Sequence, residues 1–123
     1  MAIPTGSGTE VMRNGGWATQ STDVTSFQFD GTSPTTGTES YTVPTNHIIT
    51  ILSIIWCETN NTAELLHLQH VQGYILYLQP LAARETFIYN ERLSLKSGEF
   101  LKTWLGSAGD VDVHYSYIDQ DWS

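Results

Sequence analysis

The chain has 123 residues, a length that suits one domain with its own hydrophobic core. Its formal charge is −8 and only five residues are Lys or Arg, which argues against nucleic acid or an anionic membrane as the main partner. A single cysteine, Cys57, excludes an intramolecular disulfide. Because no basic and apolar leader opens the sequence, we expect a chain made without secretion.

The first 45 residues are rich in Ser and Thr and poor in large aliphatic side chains. Such a segment buries too little apolar area to order by itself. We therefore predict an extended N-terminal arm over residues 1–22 and one β-sandwich domain over residues 23–123. Within the domain, alternation over Val24–Phe29 predicts the first strand, which the turn residues Asp30 and Gly31 end.

A denser β pattern begins at Tyr41. The β-branched, apolar run Ile48–Cys57 predicts a long strand that stops at the turn residues Asn60 and Asn61. Turn signals then separate further strands, which gives about eight in total and no convincing helix. These later strands are expected at Ala63–Val71, Tyr74–Leu78, Glu85–Tyr89, Leu93–Leu95, Phe100–Leu105 and Val111–Ile118. The pattern predicts an all-β, antiparallel sandwich or barrel.

The last strand alternates most clearly and places three polar side chains, Asp110, Asp112 and His114, on one face. The plain interpretation is a solvated outer face of an antiparallel sheet. The alternative is an inter-subunit polar site or a cation site, which needs a concave face or ligands from a second subunit.

No constellation in the sequence predicts catalysis. His67 and His70 are three residues apart, so on a strand they point to opposite faces and cannot chelate one ion. The H-x-H pair of jelly-roll metalloenzymes is absent, as are G-x-S-x-G, P-loop and H-E-x-x-H motifs. Glu91 and Glu99 lie beside turns, which favours surface acids over a glycosidase pair. We expect no enzyme, no metal site and no cofactor.

The tryptophans are the remaining candidates for function. Trp56 and Trp104 lie in strand patterns, and we predict both in the core. Trp17 follows two glycines and Trp122 is the penultimate residue. Because exposing such a side chain is costly, we expect each to dock on its own fold, a neighbouring subunit or a larger assembly. The competing interpretation is a stacking platform for sugar rings.

Several segments carry a resemblance to small jelly-roll decoration (cement) and head-fibre proteins of tailed bacteriophages. Met1–Val11 is similar to their short Gly/Ser/Thr-rich opening, and Tyr41–Pro44 followed by the strand Ile48–Trp56 is similar to their early strand pair. Leu93–Leu101 resembles a recurrent L-x-L-x-x-G-D-x-L hairpin, and Val111–Ile118 resembles their terminal strand.

The resemblance implies a jelly-roll capsid decoration protein, made in the host cytoplasm, that stabilises the capsid surface of the virion as a homotrimer. Its partners would be the major capsid protein and copies of itself. The alternative is a receptor- or glycan-binding module of a tail or head fibre. We place the capsid or subunit interface on six apolar side chains: Ile3, Val11, Trp17, Phe27, Phe29 and Trp122.

Overall fold

The computed structural model of the protein describes residues 9–121. Within this range the chain forms strands and turns, and it contains no helix long and apolar enough to cross a membrane. The nine strands in chain order are β1 (Thr9–Gln20), β2 (Thr25–Ser26), β3 (His47–Glu58), β4 (Glu64–His70), β5 (Gly73–Leu81), β6 (Thr86–Tyr89), β7 (Leu93–Lys96), β8 (Leu101–Leu105) and β9 (Val111–Asp121).

The strands form two antiparallel sheets that pack face to face. The front sheet has the order β1-β9-β3-β6, with β7 also paired to β3, and the back sheet has the order β2-β8-β4-β5. Most successive strands cross between the sheets, except β4 with β5 and β6 with β7, and the first and last long strands pair with each other. This order is that of a jelly roll, so the predicted fold class of one antiparallel β-sandwich is confirmed.

Two of the strands share one position in the front sheet. β6 pairs with residues 54–57 of β3, and β7 pairs with residues 48–51 of the same strand. The two are collinear and are separated only by the turn at residues 90–92. Nine strands thus fill the eight positions of a jelly roll. The sequence prediction of about eight strands counted β6 and β7 separately and did not include β1.

The core lies between the two sheets. Trp56 and Tyr117 contribute fully buried rings from the front sheet, and Leu66 and Leu101 contribute fully buried side chains from the back sheet. Phe27 closes one side of this core from the loop after β2, with its ring centroid 4.9 Å from that of Tyr115. Non-local strand pairing and this one continuous core hold the described chain together.

The predicted N-terminal arm is wrong for the part of it that the structure describes. Residues 9–20 form β1, which pairs with β9 from Thr9 opposite Asp121 to Trp17 opposite Val113. This strand needs few apolar residues because hydrogen bonding along β9 satisfies its backbone, and the buried Trp17 anchors it to the core. Residues 1–8 lie outside the described range.

Two smaller expectations also change. The strand predicted over Val24–Phe29 is only Thr25–Ser26, which pairs with β8. Phe27 and Phe29 follow it in a loop, where they are almost completely buried. The alternating pattern therefore reflects two rings that the loop buries in the core, and it does not require a longer strand.

Candidate functional site

The outer face of the back sheet carries four aromatic rings, His67, Tyr74, Tyr77 and Trp104, which we call the aromatic patch. His67 on β4 lies opposite Trp104 on β8, and their rings stack with centroids 5.0 Å apart and planes 13° apart. The Tyr77 ring meets His67 edge-on at 5.3 Å, and the Tyr74 ring lies 4.9 Å from Tyr77. The rings therefore form one packed cluster.

Two irregularities in β5 create this cluster. Tyr74 and Tyr77 are three residues apart, so a regular strand would point them to opposite faces. The pairing of β5 with β4 shifts register on both sides of Leu68, and Leu78 has a left-handed backbone with φ of 54°. Extra residues in β5 at these bulges turn both tyrosines to the outer face, where they cover His67.

The aromatic patch has two exposed tyrosine rings above a buried, uncharged histidine. Tyr77 is 63% exposed and Tyr74 is 49% exposed, whereas His67 below them is only 6% exposed. Burial lowers the pKa of His67, so its imidazole is neutral at neutral pH. The patch thus combines accessible tyrosines with a desolvated, neutral base.

The neighbourhood of the aromatic patch is also without charge. Residues 65–83, which include most of β4 and all of β5, contain no Asp, Glu, Lys or Arg. β5 lies at the end of the back sheet, and further large apolar side chains are exposed around it. These are Leu65, Val71 and Leu78. In a chain of net charge −8, this is a pronounced apolar region.

A second feature lies on the outer face of the front sheet, on the other side of the sandwich. We call it the front groove. It is an open depression of about 680 Å³ that β1, β9 and β3 line together. Asp112 and His114 both line it, whereas Asp110 precedes β9 and does not. Two of the three residues of the predicted polar site are therefore brought together.

The structure gives no support to a cation at this place. Among residues 9–121, no three His, Cys, Asp or Glu side chains are grouped so that they could hold a metal ion. Asp110 acts through its backbone, because its carbonyl oxygen accepts hydrogen bonds of 3.0 Å from the backbone nitrogen and the hydroxyl of Thr59. Asp112 accepts a bond of 3.3 Å from the backbone nitrogen of Thr19.

The predicted interface residues fall into three groups. Ile3 and Trp122 lie outside the described residues, and Val11 is 40% exposed on β1. Trp17, Phe27 and Phe29 are buried in the core of this chain, so their assignment to an interface is wrong. The ring of Phe27 packs against Trp17 at 5.2 Å and is stacked with Phe29 at 6.4 Å, and burial leaves the two phenylalanine rings almost no surface for a partner.

The two strand tryptophans have different positions. Trp56 is fully buried in the core, as predicted. Trp104 is not a core residue, because on β8 the side chains of Leu101, Thr103 and Leu105 point inward and Trp104 points outward. The alternation along β8 already indicated that Trp104 points outward. The sequence prediction placed it in the core because its side chain is large and apolar.

A polar cluster that the sequence did not suggest joins three strands of the front sheet. His47 Nδ1 lies 2.7 Å from Asp119 Oδ1, and His47 Nε2 lies 3.5 Å from Asp121 Oδ2. Arg13 Nε lies 3.6 Å from Asp119 Oδ2. Because these residues belong to β1, β3 and β9, the cluster fastens neighbouring strands in register. Only the pairing of distant strands brings its members together.

The comparisons with known proteins add no relative to this description. No protein-family model matches the sequence, and no curated protein is significantly similar to it.

Proposed function

We propose that this protein is a virion structural protein that decorates a bacteriophage capsid as a homo-oligomer. The observation that carries the proposal is the aromatic patch with the uncharged region around it. Tyrosine and tryptophan are the residues that most often dominate protein–protein interfaces, because each buries a large area and offers one polar group. The resemblance in sequence pattern supplies the capsid as the setting.

Electrostatics favour association through this region. The chain carries a charge of −8, so bringing two copies together costs Coulomb repulsion over most of the surface. Residues 65–83 carry no charged side chain, so a contact made there keeps the acidic groups apart. The same absence of charge minimises the desolvation cost of burying the surface against a capsid subunit.

The shape of β5 indicates contact through side chains. Among the described strands β5 pairs with β4 alone, and an exposed edge strand can extend a neighbouring sheet. The left-handed backbone at Leu78 and the missing N–H of Pro80 interrupt the edge in its second half. A register shift between Tyr74 and Leu76 interrupts the first half of β5 as well, so the tyrosines themselves form the main contact.

The partners under this proposal are the major capsid protein and further copies of the chain, most simply as a trimer. In a trimer three equal surfaces engage one capsid site, and effective concentration multiplies a modest contact into stable attachment. The function is adhesion and stabilisation, and it requires no reacting group.

Two measurements test the proposal. Analytical ultracentrifugation is expected to find an oligomer, and sedimentation with capsids of the same virus assembled without this protein is expected to show saturable binding. Replacing the exposed Tyr77 by Ser should weaken oligomerisation or capsid binding by at least about tenfold, as for an interface residue that contributes more than ~1.4 kcal/mol.

Ile88→Ser is the matched control. Ile88 is 55% exposed on β6 of the front sheet, so the variant removes a comparable exposed apolar side chain away from the aromatic patch. It should leave both measurements unchanged. A monomeric wild-type protein with no affinity for such capsids would overturn the proposal, and equal losses in the two variants would remove the aromatic patch from it.

A further inference from the structure

The front groove has the composition of a ligand site and lies on the face of the sandwich opposite the aromatic patch. We propose that it binds a neutral saccharide. This second activity goes beyond capsid decoration and does not depend on it, because the two features share no residue. The argument combines the shape of the groove, its free hydrogen-bonding groups and its charge.

The groove exists because small side chains stand side by side across three strands. In one row, Ser116 on β9 lies between Asn14 on β1 and Ser53 on β3. In the next row, His114 lies between Gly16 on β1 and Ile55 on β3. Neighbouring positions in such rows are roughly 4.5–5.5 Å apart, so small residues leave a continuous depression.

Gly16 is essential to this shape. A Cβ atom at position 16 would lie 2.7 Å from the backbone oxygen of Val113 and 2.9 Å from His114 Nδ1. Only glycine allows β1 to approach β9 this closely while leaving the floor of the groove open. The resulting volume of about 680 Å³ lies within the range of known small-molecule sites, roughly 300–1,000 Å³.

The polar groups in the groove are free to bind a ligand. Within the described residues, the side chains of Asn14, Ser53, Ser116 and His114 make no hydrogen bond to the protein. Together they offer hydroxyl, amide and imidazole groups that both donate and accept. A sugar hydroxyl also donates and accepts at once, so it matches this set better than a ligand with acceptors alone.

Asp112 and Ile55 complete the match. The backbone nitrogen of Thr19 donates a bond of 3.3 Å to Asp112 Oδ1 and orients its carboxylate, whose remaining lone pairs can accept from ligand hydroxyls. Ile55 is half-buried on the β3 side of the groove and provides an apolar contact for the C–H face of a sugar ring. Polar and apolar requirements of a saccharide are thus met side by side.

Charge restricts the ligand to a neutral one. None of the described residues that line the groove is Lys or Arg, and Asp112 together with the chain's overall charge of −8 repels phosphate, sulfate and sialic acid. A metal cation lacks a sufficient ligand set, because no group of three suitable side chains occurs in residues 9–121. A neutral, hydroxyl-rich molecule is the remaining class.

The experiment is a screen of the full-length protein on an array of neutral and sialylated glycans, followed by titration calorimetry with the neutral glycan that gives the strongest signal. We expect binding to neutral glycans. Asp112→Ala should lower the affinity at least about tenfold, because it removes a charged acceptor for hydroxyl groups. Ser116→Leu should lower it by a similar factor, since the larger side chain fills the groove.

Tyr77→Ser is the control on the opposite face and should bind the glycan as the wild type does. Thermal unfolding of each variant verifies that the sandwich is intact. The proposal is overturned if no neutral glycan binds, if Asp112→Ala and Ser116→Leu both keep full affinity, or if Tyr77→Ser abolishes binding instead. Oligomer and capsid measurements on Asp112→Ala should match the wild type, so failure here is distinct from failure of the decoration proposal.

Discussion

The indole nitrogen of Trp56 donates a hydrogen bond of 3.1 Å to the hydroxyl oxygen of Thr103, which joins the front sheet to the back sheet inside the core. The Thr103 hydroxyl in turn donates a bond of 2.7 Å to the backbone oxygen of His67. Both Trp56 and Thr103 are fully buried. A polar chain through the core thus connects the sheet of the front groove to the strand that carries His67.

Thr103→Val tests this connection. Valine has nearly the same shape, but it leaves the Trp56 N–H buried without an acceptor, which costs about 1–3 kcal/mol. We expect urea denaturation to show that loss in the free energy of unfolding. Thr103→Ser keeps the hydroxyl and removes one methyl group, so its loss should be near ~1 kcal/mol. A valine variant as stable as the wild type would show that the bond contributes nothing.

Two buried glutamates, Glu64 and Glu58, should make the stability of the fold depend on pH in opposite directions. Burial raises the pKa of Glu64, its hydrogen bond with Ser107 opposes the change, and repulsion from Glu58 adds to it. Glu64 Oε2 has no hydrogen-bond partner in the described chain. The charged form of Glu64 is therefore disfavoured in the folded protein, and the native state gains from protonation.

Glu64→Gln should be more stable than the wild type at neutral pH. Below the ordinary glutamate pKa of 4.5 the wild-type side chain is protonated in both states, so no penalty exists there. The free-energy cost of burying the charged carboxylate grows as the pH rises from 4.5 through the pKa of Glu64 in the folded state. Melting temperatures from pH 4 to pH 8 should therefore converge at the acidic end. Glu39→Gln removes the same charge at an exposed site and is the control for the change in net charge.

The pKa of Glu58 is shifted in the opposite direction to that of Glu64. Burial pulls its pKa upward, but the backbone nitrogens of Arg84, Asn60 and Thr62 donate to its carboxylate and hold the pKa below the ordinary value. The donors lie at 2.9, 2.7 and 3.2 Å. This carboxylate stabilises the fold above the unfolded pKa, and the contribution is lost as the pH falls through the folded pKa.

Glu58→Gln should therefore be less stable than the wild type at neutral pH and approach it in acid. The amide retains one acceptor oxygen but loses the charge that three backbone donors share. Thermal unfolding at the same series of pH values as for Glu64→Gln measures the effect. A difference from the wild type that is constant with pH would mean that packing, and not the charge, is responsible.

The strands with strong local patterns could be predicted from the sequence. Val111, Val113 and Tyr117 are buried along β9, as the alternation indicated, and β3 lies within one residue of its predicted bounds at each end. β1 could not be predicted in the same way, because Trp17 is its only large core residue and its partner strand is about a hundred residues away in the chain. Pairing of that kind leaves no local signal.

The candidate sites were harder to predict than the strands. Tyr74 and Tyr77 have the wrong spacing for one face, and nothing local in the sequence marks the two bulges that bring them together. The front groove was foreseen only in part, through Asp112 and His114 on one face of β9. Its other side chains, such as Asn14, come from strands whose adjacency depends on the topology.

The bulge at Leu78 gives a prediction of its own. A non-glycine residue in the left-handed region costs about 1–2 kcal/mol, and Leu78 is 44% exposed, so little packing compensates for it. Leu78→Gly should relieve that cost and leave the free energy of unfolding within about 1 kcal/mol of the wild type, or above it. Leu78→Val should lower it by at least ~1 kcal/mol, because a β-branched residue tolerates this conformation worst.

Leu65→Gly is the matched control for glycine. Leu65 is 39% exposed on the neighbouring β4 and lacks the left-handed backbone, so glycine there only loosens the strand, at a cost of about 0.5–1 kcal/mol plus lost contact. Chemical denaturation of the three variants under one condition gives the comparison. If Leu78→Gly loses as much stability as Leu65→Gly, the left-handed backbone at Leu78 stores no strain, and the bulge that orients Tyr77 is simply the preferred local structure.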